Sequence, residues 1–549
     1  MNQSLRERVT SWIDEDPDHD DQATLRELLE AGDEAELERR FAAPLTFGTA
    51  GLRGPEMAGP AGMNRATVRR ATQGVVAWLK ESGLDVRRGV VVGRDARHGS
   101  ERFNDEVVAV LLGAGVSVFE MPSALPTPLV PYGVKALGAV AGIMITASHN
   151  PPQDNGFKLY ARDGAQIVPP DDEIVERFAQ AAGEAVLADR TAAGHQFVPP
   201  ATLAAYDAHM VARFGVETSA LNITYTPLHG VGGAEMTRLF SLAGYDQVTV
   251  VAEQFAPDGS FPTLPFPNPE EPGALDLAIA TATHAGSTLI IANDPDADRL
   301  GAAVRVDDEW VVLGGDQIGW LLASSLLAEI VERDEVIATS IVSSTLLEAM
   351  AKEAGARFAT TLTGFKWISR AAGAGVLGFG YEEALGYAVD PLVADKDGLS
   401  SALALCALAD DLSRHGHSLL GRLDELEERF GVHATSQLSI RAEGPDGLAS
   451  IQRALEDLRS SPPLTLGTLR VTSSIDLRVG GRGLPPTDGL ILELGATGRV
   501  IVRPSGTEAK LKAYVEVTPP REGALVEQRH LARRIDQEIR DSLGDLLRL

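Results

Sequence analysis

A single cysteine, Cys406, stands in a chain of 549 residues, which excludes an internal disulfide and a cysteine-rich metal site. Apolar runs are short as well, and none approaches the ~20 residues that a membrane-crossing helix needs, so no membrane partner is expected. The N-terminus is polar and acidic, without the basic-then-apolar order of a secretory signal, and the expected compartment is the cytoplasm. Basic residues are scarce too: 49 Lys and Arg against 77 Asp and Glu leave a formal net charge of -28. A chain of that sign repels nucleic acid and anionic membranes, which excludes both as expected partners. An anionic substrate would then have to be received by cations gathered locally, with the surplus acid spread over outer surfaces for solubility. What the chain has in plenty is globular material: 44% hydrophobic and 23% charged residues at this length predict several domains with full cores.

Two strand exits carry residues suited to chemistry. The apolar run 139–145 reads as a buried strand, and Pro151-Pro152 prevents the next residues from continuing as strand or entering a helix. Thr146-Ala147-Ser148-His149-Asn150-Pro151 therefore forms a turn with a potential nucleophile, Ser148, beside a titratable ring, His149. Alone, that pair reads as ordinary turn composition. A second run, 288–292, leads into Asn293-Asp294-Pro295-Asp296-Ala297-Asp298-Arg299-Leu300-Gly301. Alternate residues of an extended segment point the same way, so Asp294, Asp296 and Asp298 are expected to converge on one hard cation, in preference to forming a solvated acidic turn. A calcium loop is excluded, because Arg299 stands at its sixth position where glycine is needed and Arg305 at its twelfth where glutamate is needed. A strand-end magnesium site is the better reading.

The periodicity predicts a repeated α/β architecture. Residues 1–40 are charged with helical stretches such as 25–41, and read as an extension packed on the first domain. A β-α-β rhythm comes next: strand 90–92, helix 104–112, strand 116–119, helix 128–137 and strand 139–145. It recurs over 223–292, with helices near 235–243 and 275–285, and a third time over 316–408, with strands 336–342 and 376–379. No residue-level repeat accompanies it. Beyond about residue 430 the pattern changes to alternating segments such as 437–441 and 500–503 and a long final helix near 525–547, which predicts an α+β domain.

Together these motifs resemble the α-D-phosphohexomutase superfamily of phosphoglucomutases and phosphomannomutases. Its phosphoserine loop reads Thr-Ala-Ser-His-Asn-Pro and its metal loop Asp-x-Asp-x-Asp-Arg. Gly380-Tyr381-Glu382-Glu383-Ala384-Leu385-Gly386 is similar to the family's sugar-binding loop, and Arg503-Pro504-Ser505-Gly506-Thr507-Glu508 to its phosphate-binding loop. Phe47-Gly48-Thr49-Ala50-Gly51-Leu52-Arg53-Gly54 completes five motifs in family order across nearly the whole chain. The resemblance implies three similar mixed α/β domains and a C-terminal α+β domain around a central cleft: 1–213 with Ser148, 214–314 with the metal loop, 315–430 with the sugar loop and 431–549 with the phosphate loop.

The chemistry implied is a two-step transfer. Ser148 works as a phosphoserine and, with Asp294, Asp296 and Asp298, as a ligand of Mg2+, while Arg53 and Arg299 stabilise the transferring phosphoryl group. Lys158, in Asn155-Gly156-Phe157-Lys158, matches a family lysine near the reacting phosphate and is expected to handle the proton, with His149 assisting or orienting. Glu382 and Glu383 take the sugar hydroxyls; Arg503, Ser505, Gly506 and Thr507, with Lys512, grip the phosphate that is not reacting. Thr363, Gly364 and Lys366 add substrate contacts. The expected reaction interconverts hexose 1-phosphate and hexose 6-phosphate through a hexose 1,6-bisphosphate, which also serves as the activator that phosphorylates Ser148, in a monomer or homodimer.

Three residues depart from the commonest family pattern. Ala384 stands where many hexomutases have serine, Phe365 where some relatives have histidine, and Gly506 where bacterial phosphomannomutases have asparagine. With Asp395-Lys396-Asp397-Gly398, these features are closer to the phosphoglucomutase-2 and phosphopentomutase subgroup. Pentose phosphates are therefore the alternative substrate class. A non-catalytic sugar-phosphate sensor would be marked by loss of Ser148 or of a metal-loop aspartate, and neither is lost.

Overall fold

A computed structural model describes residues 3–48, 51–441, 447–504 and 510–547. The chain divides into two compact units, one comprising Met1–Leu313 and Leu385–Asp410, the other Gly314–Ala384 and Asp411–Leu549.

The first unit holds two sheets. In the larger one the strand order is Phe47–Gly48, Gly51–Pro55, Asp154–Ala161, Ala141–Ile145, Val90–Arg94, Val118–Glu120 and His195–Phe197. Ala141–Ile145 lies parallel to Val90–Arg94 and antiparallel to Asp154–Ala161, and every one of its residues is buried, as expected of a continuous apolar run in a covered sheet. The helices Arg65–Glu81 and Ser100–Gly113 close one core with it. Val68, Ala71, Val75 and Leu79 on one, and Phe103, Val107 and Leu111 on the other, recur at three- and four-residue spacing and pack with Val90, Val92 and Ile143. Each such side chain stabilises the unit by about 1.5–3 kcal/mol on burial. Asn64 starts the first of these helices by accepting a hydrogen bond from the Thr67 N–H at 2.8 Å, a cap worth about 1 kcal/mol.

The N-terminal extension packs as expected, since Leu5, Val9, Trp12, Ile13, Leu25, Leu37 and Phe41 form one cluster with Ala58 and Ala66. Its stretch 25–41 is not one helix, however. His19–Ala31 ends at Gly32, whose φ of 68° only glycine adopts at no cost, and Asp33 caps a new helix, Glu34–Arg40.

The smaller sheet of this unit runs Glu309–Val312, Gly301–Val306, Leu289–Ala292, Ile223–Thr226 and Val248–Val250. Leu289–Ala292 is fully buried, parallel to Ile223–Thr226 and antiparallel to Gly301–Val306. Strand boundaries elsewhere move by one to three residues from those the sequence predicts: 116–119 becomes Val118–Glu120, and 336–342 ends at Ser340.

In the second unit, Val336–Ser340 lies parallel between Arg357–Thr361 and Leu377–Glu382. The third rhythm predicted over 316–408 is present, helices Leu346–Ala354 and Phe365–Ile368 alternating with these strands, while Leu385–Asp410, with most of the helix Gly398–Arg414, belongs to the first compact unit. The C-terminal part is an antiparallel sheet, ordered Ala434–Arg441, Lys510–Val517, Gly498–Pro504, Leu490–Glu493 and Ser473–Asp476. Ala434–Arg441 alternates between half-buried and exposed residues, the period of two expected of a one-sided strand. The helices Gly447–Ser460 and Leu525–Leu546 cover the sheet, burying Ile451, Leu455, Ile535 and Ile539 against Val500, Val502 and Val515.

Candidate active site

Ser148 sits just past the end of the strand Ala141–Ile145, in a turn whose geometry is unusual. Its φ is 53°, a left-handed conformation that costs a non-glycine residue about 1 kcal/mol. It is nonetheless 1% exposed and fully bonded. Its N–H donates to Thr146 Oγ1 at 2.9 Å, its Oγ donates to Asp294 Oδ2 at 2.7 Å, and His149 Nδ1 lies 3.1 Å from that Oγ.

The three aspartates do converge, but not by the route the sequence pattern suggested. Residues 293–300 are a turn, closed by the Ala297 N–H on the Asp294 carbonyl at 2.8 Å with Ala297 at φ 54°, and not an extended segment. The chain must reverse there, because Leu289–Ala292 and Gly301–Val306 are antiparallel neighbours in register Ala292↔Gly301. Neighbouring backbone fixes the turn: Thr127 N–H donates to the Asp296 carbonyl at 2.9 Å and Val231 N–H to the Pro295 carbonyl at 2.8 Å. Gly398 approaches so closely that a Cβ there would lie 2.4 Å from the Arg299 carbonyl oxygen.

Asp294, Asp296 and Asp298 are completely buried, and each offers an oxygen within 4.8 Å of the others. Asp296 Oδ2 accepts from Lys158 Nζ at 2.8 Å, Thr127 Oγ1 at 2.7 Å and Thr146 Oγ1 at 3.3 Å; Asp298 Oδ2 accepts from Lys158 Nζ at 2.7 Å. The second oxygens of both, Asp296 Oδ1 and Asp298 Oδ1, are buried without a hydrogen-bond partner. A carboxylate oxygen left so in a protein interior is costly, and a hard divalent cation taking oxygen ligands is the group that satisfies two of them together. The donor set therefore fits Mg2+.

The electrostatics follow from burial set against neighbouring charge. Burial, and then Asp296 and Asp298, push the Asp294 carboxyl well above the ordinary range. Burial also opposes ionisation of Asp298, yet Lys158, Lys396 and Arg299 outweigh it and hold that carboxyl below its ordinary value. Asp296 is held down as well, by Lys158 and Thr127 acting against burial and Asp298. Lys158 is itself completely buried in the strand Asp154–Ala161. Arg53, opposite Gly156 in the neighbouring strand, donates to Asn150 Oδ1 at 3.4 Å. Arg299 Nε lies 3.8 Å from Asp294 Oδ2 and 3.9 Å from Asp298 Oδ1. One unit thus brings together Ser148, His149, Lys158, Arg53, Arg299 and the three aspartates.

In the second unit, Glu382 Oε1 accepts from the Gly364 N–H at 2.6 Å, and Gly364 holds a φ of 116° that favours glycine. Glu383 Oε2 accepts from Ser343 Oγ at 3.1 Å and Ser340 Oγ at 3.3 Å. Thr363 precedes the short helix Phe365–Ile368, in which Lys366 Nζ lies 5.9 Å from the Trp367 ring centroid. Arg503 and Lys512 are register partners in adjacent antiparallel strands. Burial and then Glu383 raise the Tyr514 hydroxyl, against a hydrogen bond from Arg503. Ser505, Gly506 and Thr507, like Thr49 and Ala50, lie outside the described residues.

Sequence reasoning passed over several groups in this machinery. Thr127 and Thr146 reach Asp296 from 169 and 150 residues away, and Lys396 Nζ lies 3.3 Å from Asp298 Oδ2. Asn293 Nδ2 donates to the Arg299 carbonyl at 2.7 Å, bracing the metal loop from its first residue. Ser343 is the counterpart for Glu383. The available signals were the cation inside Asp395-Lys396-Asp397-Gly398 and the polar residues closing each strand-end motif.

Models of the phosphoglucomutase/phosphomannomutase family match the chain in order: alpha/beta/alpha domain I over residues 44–185, domain II over 204–307, domain III over 314–430 and the C-terminal domain over 440–532. A Haemophilus influenzae protein described as a probable phosphomannomutase is 39% identical over 83% of this chain and 93% of its own length. The human phosphopentomutase is 33% identical over 94% of this chain and 92% of its own, and a Schizosaccharomyces pombe protein described as a probable phosphoribomutase is 34% identical over 94% of each. Among solved structures, a phosphoglucomutase/phosphomannomutase family protein from Burkholderia thailandensis superposes with a TM-score of 0.69 at 21% identity, over 91% of this chain and 97% of that one, which is agreement in fold. Four domain models in sequence and relatives spanning nearly the full length lead to one conclusion: the chain belongs to the phosphoglucomutase/phosphomannomutase family of the α-D-phosphohexomutase superfamily, and is a phosphomutase of the isomerase class.

Proposed function

We propose that this phosphomutase interconverts hexose 1-phosphate and hexose 6-phosphate, of glucose, mannose or both, with Ser148 as the phosphoryl carrier. The observation carrying the reading is the 2.7 Å bond from Ser148 Oγ to Asp294 inside a buried three-aspartate set with two unsatisfied oxygens. Mg2+ held by Asp294, Asp296 and Asp298 would draw charge from a phosphoryl group on Ser148.

The remaining roles fall to the chain's own residues. As the P–O bond to Ser148 Oγ breaks, a bond forms from phosphorus to the sugar hydroxyl oxygen, and the proton that this hydroxyl releases replaces the one that His149 gives to Oγ, so that protons balance over the step. His149 Nδ1, 3.1 Å from Oγ, is placed to give and later recover the proton at that atom. Lys158, which the resemblance would have handle the proton, points its Nζ at Asp296 and Asp298, so the proton passes to His149 and Lys158 is left to offset the two carboxylates. Arg53 and Arg299 present planar, permanent cations to the oxygens of the transferring group. Glu382 and Glu383 accept hydrogen bonds from sugar hydroxyls, and Arg503 and Lys512, with the motif at Ser505, Gly506 and Thr507, take the phosphate that is not in transfer. The product of the first transfer is a hexose 1,6-bisphosphate; its other phosphate returns to Ser148, and the same compound charges unmodified enzyme.

Pentose phosphates are the second reading. Ala384 and Phe365 favour it, as do relatives named phosphopentomutase that align over 94–98% of this chain. Glucose 1-phosphate, mannose 1-phosphate and ribose 1-phosphate assayed side by side separate the two, and a preference for ribose overturns the hexose assignment. Intact mass after incubation with glucose 1,6-bisphosphate tests the carrier: wild type gains one phosphoryl group and Ser148→Ala gains none. Turnover by Ser148→Ala would rule the mechanism out.

A further inference from the structure

The underside of the phosphoserine turn is occupied by one arginine that the reaction scheme does not use. Arg97 lies just beyond the strand Val90–Arg94, and its side chain is 0% exposed. Its Nη2 donates to the carbonyls of Ser148 at 2.7 Å and Asn150 at 2.6 Å, and its Nη1 to those of Pro151 at 2.7 Å and Asp154 at 2.9 Å. These carbonyls span the whole turn, from the carrier serine to the start of the strand Asp154–Ala161. Asp95 Oδ2 lies 3.3 Å from Nε, and the guanidinium carbon stands 5.0 Å from the centroid of the Phe261 ring. Phe261 is itself buried, with a φ of 45°, and comes from the chain segment that the family's second domain covers.

A guanidinium fork is suited to this place as an ammonium is not. Two terminal nitrogens in one plane serve two pairs of carbonyls, whereas a lysine would bring three donors from one point and no flat face for the ring. The Ser148 carbonyl that Arg97 holds belongs to the residue in left-handed conformation. Backbone held off its preferred region persists only where the surroundings over-determine it, and such strain clusters at functional positions.

We infer that Arg97 is a positioning residue for phosphoryl transfer: by gathering the inward carbonyls of residues 148–154 it holds Ser148 in the strained turn that aims Oγ at Asp294, and Phe261 keeps its guanidinium flat in that role. The inference rests on Ser148 being the carrier. The carbonyls that Arg97 holds all belong to residues 148–154, so the defect belongs to the transfer step.

The test compares wild type, Arg97→Lys and Phe261→Leu in single-turnover loading of Ser148 from glucose 1,6-bisphosphate, followed by intact mass and normalised to folded protein by thermal unfolding. Arg97→Lys is expected to load at least about 10-fold slower, with kcat lowered in proportion and KM for hexose phosphate unchanged within about 2-fold. Phe261→Leu is expected to slow loading by about 3-fold, and it decides the matter if Arg97→Lys does not fold. A purely structural role would lower the unfolding temperature and leave the loading rate of folded enzyme at the wild-type value; that outcome overturns the inference while the mutase reading stands. Failure of wild type to load overturns both.

Discussion

The two sets of residues to which the proposed function gives transfer and recognition differ first in burial. Around Ser148, charge is set against charge in complete burial: Asp296 and Asp298 face Lys158, Lys396 lies beside Asp298, and Asp294 takes the Ser148 hydroxyl. In the second unit, Glu382 and Glu383 are only half-buried, and they accept hydrogen bonds from the Gly364 N–H and from the hydroxyls of Ser340 and Ser343. Buried ions have steep requirements, since each must be matched nearly completely or the fold suffers. Half-buried acids keep part of their hydration and impose less. On the proposed function, the first arrangement serves phosphoryl transfer and the second is where a choice among sugars would be made.

The sharpest way to break that contrast is to remove one carboxylate from each set. Asp296→Asn is expected to cost about 10³-fold in kcat, about 4 kcal/mol, and to abolish the response to added Mg2+. Glu383→Gln is expected to raise KM by about 10-fold with kcat largely kept. Steady-state kinetics across Mg2+ concentrations measures both. If Glu383→Gln lowered kcat as far as Asp296→Asn, the division into transfer and recognition would fail.

Next in size is stability. Lys158→Met leaves Asp296 and Asp298 buried without their shared cation, and such a broken pair costs about 3–5 kcal/mol. Thermal unfolding in EDTA should show the loss, and Mg2+ should recover part of it, because the metal offsets the same charges. An unchanged melting temperature in EDTA would mean the pairing contributes nothing.

Two buried carboxylates, one in each unit, should respond to pH with opposite sign. Asp294 is raised above the ordinary carboxylate range by burial and its acidic neighbours, so its stabilising contribution is complete at low pH and is lost as pH climbs through the raised value. Glu516 behaves the other way. Burial works against its ionisation, but His433, Arg499 and the Thr345 N–H win and hold it at about 2, below the ordinary 4.5. Its contribution, about 3 kcal/mol, is present above the ordinary value and disappears as pH falls through about 2. Metal-free unfolding from pH 2 to 9 is the measurement. Asp294→Asn should flatten the alkaline decline and Glu516→Gln the acid one; a single slope shared by both variants would contradict the assignment.

The contrast also explains what could be read from sequence. Ser148 and the aspartates stood out because each motif follows an apolar run that reads as a buried strand, and Pro151-Pro152 stops the first of them. The pattern of alternate aspartates was right in outcome and wrong in route, since antiparallel pairing of Leu289–Ala292 with Gly301–Val306 forces a turn where the alternation implied extension. Lys158 was legible only through the family resemblance, because the carboxylates that it pairs with lie 138 and 140 residues on. The break at Gly32 was readable as a helix stop, yet the charged stretch on either side kept helical periodicity. Substrate choice stayed illegible for a physical reason: hydroxyls such as those of Ser340 and Ser343 occur throughout the chain and leave no spacing that marks them as contacts of Glu383.

Those hydroxyls give the smallest effect and the finest test. Ser343 Oγ both donates to Glu383 Oε2 at 3.1 Å and accepts from the Glu383 N–H at 3.2 Å, while Arg499 Nη2 holds the Ser343 carbonyl at 2.6 Å. Removing one such hydroxyl costs about 1 kcal/mol, and Ser340 Oγ, 2.8 Å from Ser343 Oγ, is placed to take over part of its role. Ser343→Ala should therefore raise KM by about 3-fold to 5-fold and leave Ser148 loading from bisphosphate at the wild-type rate. Because Glu383 would keep its charge but lose its fixed direction, the ratio of hexose to pentose turnover should move more than kcat itself. If the ratio holds while KM rises equally for both sugars, Glu383 contributes binding without discrimination, and specificity must come from other groups of the recognition set.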